Sequence, residues 1–149
     1  MKGNPIKFIK HKDVDIMYID YRVTENTKEM IQVLEESLRM CRENKPICII
    51  SNYNEVPVPN SFVDRGFQLL KEFRKCHPRS AIVGNQHRLG ITIKIQNTLG
   101  DNTVRLFYHE SEALDWLKET TKEEYDAIRN NKKKFSLFGL VVKLFSKGE

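Results

Sequence analysis

Apolar and polar residues alternate with a period of two where the chain begins. Ile6 and Phe8 stand between polar neighbours, Lys12 and Asp13 offer a turn, and residues 14–21 alternate again through Ile16 and Tyr18, with Met17 and Ile19 flanking. That pattern predicts an opening β-hairpin. The period then lengthens to that of a helix. Asn26 with Glu29 three positions on has the form of a capping box, and Met30, Leu34, Leu38 and Cys41 follow at near-helical steps until Asn44 and Pro46. Ile47, Cys48, Ile49 and Ile50 are continuously apolar, as a strand covered on both faces should be. A loop over 52–59, stiffened by Pro57 and Pro59, comes next.

Ser61 with Asp64 opens a second predicted helix, whose buried stripe would be Val63, Phe67, Leu70 and Phe73 and which ends before Pro78. Residues 80–84 form another buried strand. Leu89, Ile91, Ile93 and Ile95 fit a period of two, while Ile91, Ile95 and Leu99 also fit a helix. Parallel strands at 80–84 and 103–107 need a crossover of about a dozen residues, and this favours helix. A short helix over 111–118 buries Ala113, Leu114 and Leu117, and Thr121 with Glu124 caps one more, which runs to Asn130 and Asn131. The order ββαβαβαβα predicts an α/β fold: a mixed, largely parallel sheet with an antiparallel first strand and flanking helices. Residues 1–119 form the domain, 120–131 a connecting helix and hinge, and 132–149 a tail.

Charge changes the picture only in that tail. Residues 1–126 hold 19 Lys+Arg and 19 Asp+Glu, so the whole net charge of +5 lies in residues 127–149. Lys132, Lys133 and Lys134 precede an apolar run that includes Phe135, Phe138, Val142 and Phe145. On a helix, Lys132, Ser136, Gly139, Lys143 and Lys147 make a narrow polar stripe on an otherwise apolar surface. Such a helix over 135–147 is roughly 20 Å long against a hydrocarbon core of about 30 Å, so it cannot span a bilayer. It suits an interfacial anchor, with apolar side chains in the acyl boundary and each lysine contributing about 1 kcal/mol at anionic headgroups. The same stripe also suits a groove on a partner, a second copy in a homodimer, or the chain's own body. Nucleic acid is the weaker fit, because the aromatics sit among Leu and Val rather than along a basic face.

Chemistry is sparse elsewhere. Cys41, Cys48 and Cys76 show no CxxC spacing and lie in apolar patterns, the signature of buried thiols in a reducing cytosol. The first residues lack the apolar core of a signal peptide, so a cytoplasmic location is expected, peripheral on the inner face of the membrane if the tail anchors there. No phosphate loop, nucleophile elbow, HExxH or paired-cysteine zinc pattern occurs, and no cofactor, metal or catalysis is expected. His11, His77, His87 and His109 stand at turns or element edges, where surface or capping roles are expected. Glu110 and Glu112 suit a helix N-terminus, and Trp116 suits a core anchor. Open α/β sheets bind ligands beyond the carboxyl ends of their strands, which nominates Asn52, Tyr53 and Asn54 in one loop and His87 and Arg88 in another, the latter pair for an anion or acidic partner. Ordinary solvated loops are the alternative.

Arg79 to Gly84, a helix ending at Leu99-Gly100, then Val104-Arg105-Leu106-Phe107 and Glu112-Ala113-Leu114-Asp115-Trp116-Leu117 together resemble the C-terminal half of SpoIIAA-like proteins of the STAS-domain superfamily. The opening strands and first two helices agree in length and order, so the resemblance covers about residues 6–119. It implies a non-enzymatic regulatory or interaction module that binds a protein partner, as relatives bind anti-sigma kinases or transporter cores. It also nominates Ser61 as a phosphoacceptor at the start of the second helix, with Asn60 where the family's Asp would stand. The ordinary reading of Ser61 is an N-cap. The family's capping position before the last domain helix falls at Tyr108-His109, so His109 is expected as a pH-sensitive substitute cap. The architecture also resembles the Sec14 lobe, which implies an alternative role as carrier or sensor of a small apolar ligand or lipid.

Overall fold

The structure is a computed structural model of the chain and describes residues 1–11, 13–84 and 103–130. Strands β1 (Ile6–His11) and β2 (Val14–Asp20) form the opening hairpin, a 3₁₀ turn follows at Tyr21–Val23, and α1 spans Thr27–Glu43. Then come β3 (Cys48–Asn52), α2 (Asn60–Arg74), β4 (Ser80–Val83), β5 (Val104–Phe107), α3 (Glu110–Lys118) and α4 (Lys122–Arg129). The strands make one five-stranded sheet in the order β1-β2-β3-β4-β5. β1 pairs antiparallel with β2, and every other pairing is parallel.

Burial follows the period-two pattern. Met17, Ile19, Tyr21, Ile49 and Tyr53 face a core built with Met30, Val33, Leu34 and Cys41 of α1 and Phe62 of α2. Ile16, Tyr18, Cys48, Ile50, Ala81 and Val83 face the other way, against Ala113, Trp116 and Leu117 of α3. β3 is buried along its whole length, as an apolar central strand requires. β1 is an edge strand that exposes Lys7, Phe8 and Lys10, and lysines on an open edge discourage further pairing.

Local signals explain the helix starts. Asn26 accepts from the Glu29 N–H at 2.9 Å to cap α1, and Glu29 turns back to accept from the Glu25 N–H at 2.7 Å. Thr121 and Glu124 complete a reciprocal capping box on α4, at 3.2 and 2.7 Å. Arg79, just before β4, fastens that helix to the body. Its guanidinium donates to both carboxylate oxygens of Glu124 at 2.9 and 3.1 Å and to the Trp116 carbonyl at 2.7 Å, and lies 5.1 Å from the centre of the Trp116 ring. Cys48 adds a second attachment, its sulfur 3.5 Å from the Thr120 hydroxyl and 3.6 Å from that of Tyr125.

Five expectations need correction. β3 continues to Asn52, so Asn52 is a buried strand residue, and Tyr53 after it is buried as well. Ser61 does not cap α2: the helix begins one residue earlier, behind Pro59, whose carbonyl accepts from the Val63 N–H at 3.2 Å and which has no side chain able to cap. The α2 stripe is not sealed; Phe62 is its one fully buried residue among those described, and Phe67 keeps 36% of its surface exposed. His77 is buried rather than superficial, and His109 holds the N-cap position of α3 without a capping bond from its side chain. The predicted helix at 88–99, with His87 and Arg88, lies outside the described residues. So does the tail, with Lys132, Lys133, Lys134, Phe135, Phe138, Val142 and Phe145.

Candidate functional site

The parallel strands bring their carboxyl ends to one rim, where the two faces of the sheet carry different chemistry. On the α3 face the buried Asn52 amide donates to the Tyr18 hydroxyl at 2.9 Å, and Tyr18 donates to a carboxylate oxygen of Glu110 at 3.1 Å. The Asn52 carbonyl oxygen accepts from the Asn54 N–H at 3.0 Å, which folds the chain back at the end of β3. Arg22 adds its cation beside this chain of bonds while holding Asp20 through contacts at 2.8 and 3.0 Å. Burial pushes the Tyr18 phenol up, and the neighbouring Glu110 carboxylate pushes the same way, although the Asn52 bond opposes both. For Asp20 burial favours the neutral acid, but the Arg22 bonds outweigh it and hold the carboxyl below its ordinary range. Each polar group here has a partner within the protein, so the network fixes the rim's shape.

The opposite face is aromatic. The Tyr21 and Tyr53 rings stack 4.5 Å apart and 9° from parallel, and Phe62 meets both edge-on at 5.2 and 5.8 Å. Tyr21 is fully buried and its hydroxyl forms no hydrogen bond of good geometry, although the Tyr53 and Ser37 hydroxyls are near. Burial drives the Tyr21 phenol well above its ordinary range. A cleft of about 120 Å³ opens beside this cluster. Ile19, Ile49 and Ile82 contribute to its floor, and Val63, Phe67 and Leu70 of α2 line its wall.

Between the faces runs the loop from β3 to α2. Val56 N–H donates to the Tyr53 carbonyl at 3.0 Å, closing a turn in which Glu55 takes a left-handed backbone, φ 61°. Val58 is buried and anchors the loop, leaving Asn54 half-buried and Asn60 and Ser61 exposed. Tyr108, directly after β5 on the same rim, is 66% exposed. Of the residues nominated from sequence, Asn52, Tyr53, Asn54, Asn60 and Ser61 therefore share one rim, two of them as its buried frame. Tyr18, Tyr21 and Phe62 were not singled out. A signal for Tyr21 existed, since it continues the period of Met17 and Ile19. Among the described residues no three His, Cys, Asp or Glu side chains converge to hold a metal ion.

A mixed five-stranded sheet with an antiparallel first strand and helices on both faces gives this chain a SpoIIAA-like fold. Among solved structures it is similar to an uncharacterized protein of the DUF3478 family from Shewanella loihica PV-4, itself described as having a SpoIIAA-like fold. The two superpose with a TM-score of 0.50 and 19% identity, over 78% of this chain and 98% of that one. No protein-family profile and no curated protein sequence matches the chain. At this identity the likeness carries the fold and not an activity.

Proposed function

We propose that the protein is a non-enzymatic regulatory module that binds a protein partner at the rim formed by the 53–60 loop, the start of α2 and Tyr108. One observation carries this reading: a large aromatic side chain, 66% exposed, shares a rim with an exposed serine at an uncapped helix start. Aromatic side chains are enriched at interfaces. Free N–H groups at a helix start accommodate an added phosphate, so modification of Ser61 would alter the partner's landing surface. In this reading the basic, apolar segment at 132–149 holds the module at an anionic membrane surface or joins two copies. Among the described residues no helix is long and apolar enough to cross a membrane.

A photoreactive residue in place of Tyr108 or Ser61, in the full chain in cells, tests the rim. It should capture a protein that the same probe at Lys10, on the edge strand, does not, and Ser61→Glu should change that yield. Equal capture at all three positions would reject the rim. Flotation on phosphatidylserine–phosphatidylcholine vesicles, with and without residues 132–149, tests the tail: low-salt binding lost on truncation supports anchoring, and no binding of the full chain rejects it.

A second reading, carriage of a small apolar molecule, is favoured by the cleft beside the aromatic cluster. Its volume of about 120 Å³ is small beside the roughly 300–1,000 Å³ of drug-sized pockets, which favours a small molecule over a large one.

A further inference from the structure

We infer that the end of the sheet opposite the rim rests against an anionic lipid bilayer, with Arg42, Lys45, Lys71 and Lys75 over the headgroups, so that the bound protein presents Tyr108 and Ser61 to its partner. The inference deepens the tail-anchoring part of the proposed function and rests on it. Residues 1–126 are neutral in sum, with 19 Lys+Arg against 19 Asp+Glu, but they are not evenly charged. At the rim, where α1, α2 and α3 begin, Asp20, Glu25, Glu55, Asp64, Glu110 and Glu112 outnumber Lys2, Arg22 and Lys28. α1 and α2 end on the opposite side, and cations prevail there. Arg42 donates to Glu72 at 2.9 Å and Lys75 to the same carboxylate at 3.3 Å, so two cations share one acid. Lys45 and Lys71 are exposed and pair with no carboxylate among the described residues.

These four cations form one surface. Lys71 and Lys75 stand four residues apart on α2 and therefore on one face. Beside the bond from Cys41, Lys45 and Arg42 both draw the Cys76 thiol down against its burial, which places them at the same end of α2. The helix dipole favours a cation at each carboxyl end. It does not call for four around one carboxylate, where they repel one another and gain from an outside anion. Two features select a bilayer. Three of the four are lysines, point charges on flexible stems that suit a layer of headgroups, whereas bidentate recognition of a single phosphate or base edge favours arginine. The other feature is the reach of the chain. Lys132 follows Asn130 by two residues, so α4 at about 12 Å and a link of at most about 7 Å keep it within about 20 Å of the first turn of α4. That turn is fixed at this same end of the sheet, through Arg79 and Cys48. Lysines 132–134 held at headgroups therefore deliver this basic surface to them. The acidic rim does not undo the attraction, because strands of four or five residues set it on the order of 15 Å away, beyond a Debye length of about 8 Å at physiological salt.

Flotation of the full chain on phosphatidylserine–phosphatidylcholine vesicles at about 0.1 M salt reads the contribution of each end. Lys45→Gln with Lys71→Gln should weaken binding about fivefold for each lysine and about 25-fold together, whereas Lys2→Gln with Lys28→Gln at the rim should leave it unchanged. On nanodiscs of the same lipids carrying a gadolinium-chelating headgroup, the amide signals of Lys45, Lys71 and Lys75 in the isotope-labelled full chain should broaden more than those of Glu55, Ser61 and Tyr108. If the full chain binds no vesicles, the anchoring reading and this inference fall together. If binding needs residues 132–149 but ignores the Lys45 and Lys71 substitutions, or the rim amides broaden as strongly, the basic surface fails while the tail reading stands. If a DNA duplex binds more tightly than the vesicles and these substitutions weaken that binding instead, the surface serves nucleic acid and the inference is wrong.

Discussion

The side-chain amide of Asn52 donates to the Tyr18 hydroxyl at 2.9 Å, so the last residue of β3 is tied across the sheet to the middle of β2. Tyr18 passes the connection to Glu110 in the first turn of α3, and one buried amide thereby helps fix three elements. Asn52→Ala removes two hydrogen bonds and leaves a gap, and should cost about 2–3 kcal/mol in urea denaturation. Asn52→Asp should cost more, because it buries a carboxylate close to that of Glu110. A loss below about 0.5 kcal/mol for the alanine variant would mean that the bond does not restrain the rim.

Arg79 should govern the attachment of α4 and part of the response to acid. Burial disfavours the Glu124 carboxylate, but its bonds to Arg79 and to the Thr121 N–H prevail and hold its pKa below the ordinary 4.5. A folded-state pKa below the unfolded one stabilises the fold above about 4.5, and that contribution is lost as pH falls through the lower folded value. Arg79→Met should therefore lower stability at neutral pH by about 1–3 kcal/mol and flatten the decline below pH 4.5. Thermal melts from about pH 7 to about pH 3, with hydrogen exchange of α4 amides at neutral pH, provide the check. Parallel pH curves for the two proteins would refute the assignment to this pair.

An acidic group at Ser61 should stabilise the helix it stands on. The first turn of α2 has no acidic residue and no side-chain cap, and Ser61, second in the helix, is exposed. Ser61→Glu should add about 0.3–1 kcal/mol, an effect that weakens with salt. A destabilised variant at low salt would show that the rim resists negative charge there, which would count against phosphorylation as its regulator.

The three cysteines should be slow to react in the native protein. Cys41, Cys48 and Cys76 are free and buried; burial pushes the Cys48 thiol up despite the Thr120 and Tyr125 hydroxyls beside it, and although the bond from Cys41 draws the Cys76 thiol down, Cys76 is 1% exposed and out of a reagent's reach. Brief treatment with N-ethylmaleimide should leave the folded chain unmodified by mass and add three groups in denaturant. Cys48 labelling in the native state would reveal that α4 detaches readily from the base of β3.

Period and capping chemistry made much of the fold legible. The hairpin, the buried run at Ile47–Ile50 and the Thr121–Glu124 box each depend on neighbours in sequence, and each stands where its pattern indicated. The misreadings involve neighbours that are distant in sequence. Asn52 and Tyr53 carry loop-like composition, yet β4 and Tyr18 pair with them and draw them inward. Ser61 resembles a cap, but Pro59 begins the helix first. Nothing around Gly66 or Phe67 in sequence announces a cleft, since a helix lining a cavity carries the same apolar stripe as one sealed against a core.

α4 is fastened at the amino ends of β3 and β4, through Cys48 and Arg79, whereas Tyr108 and the 53–60 loop belong to the carboxyl ends of the strands. Four or five residues of strand put on the order of 15 Å between these poles. A hold taken on the first turn of α4 therefore grips the molecule by its heel, at the pole opposite Tyr108 and Ser61.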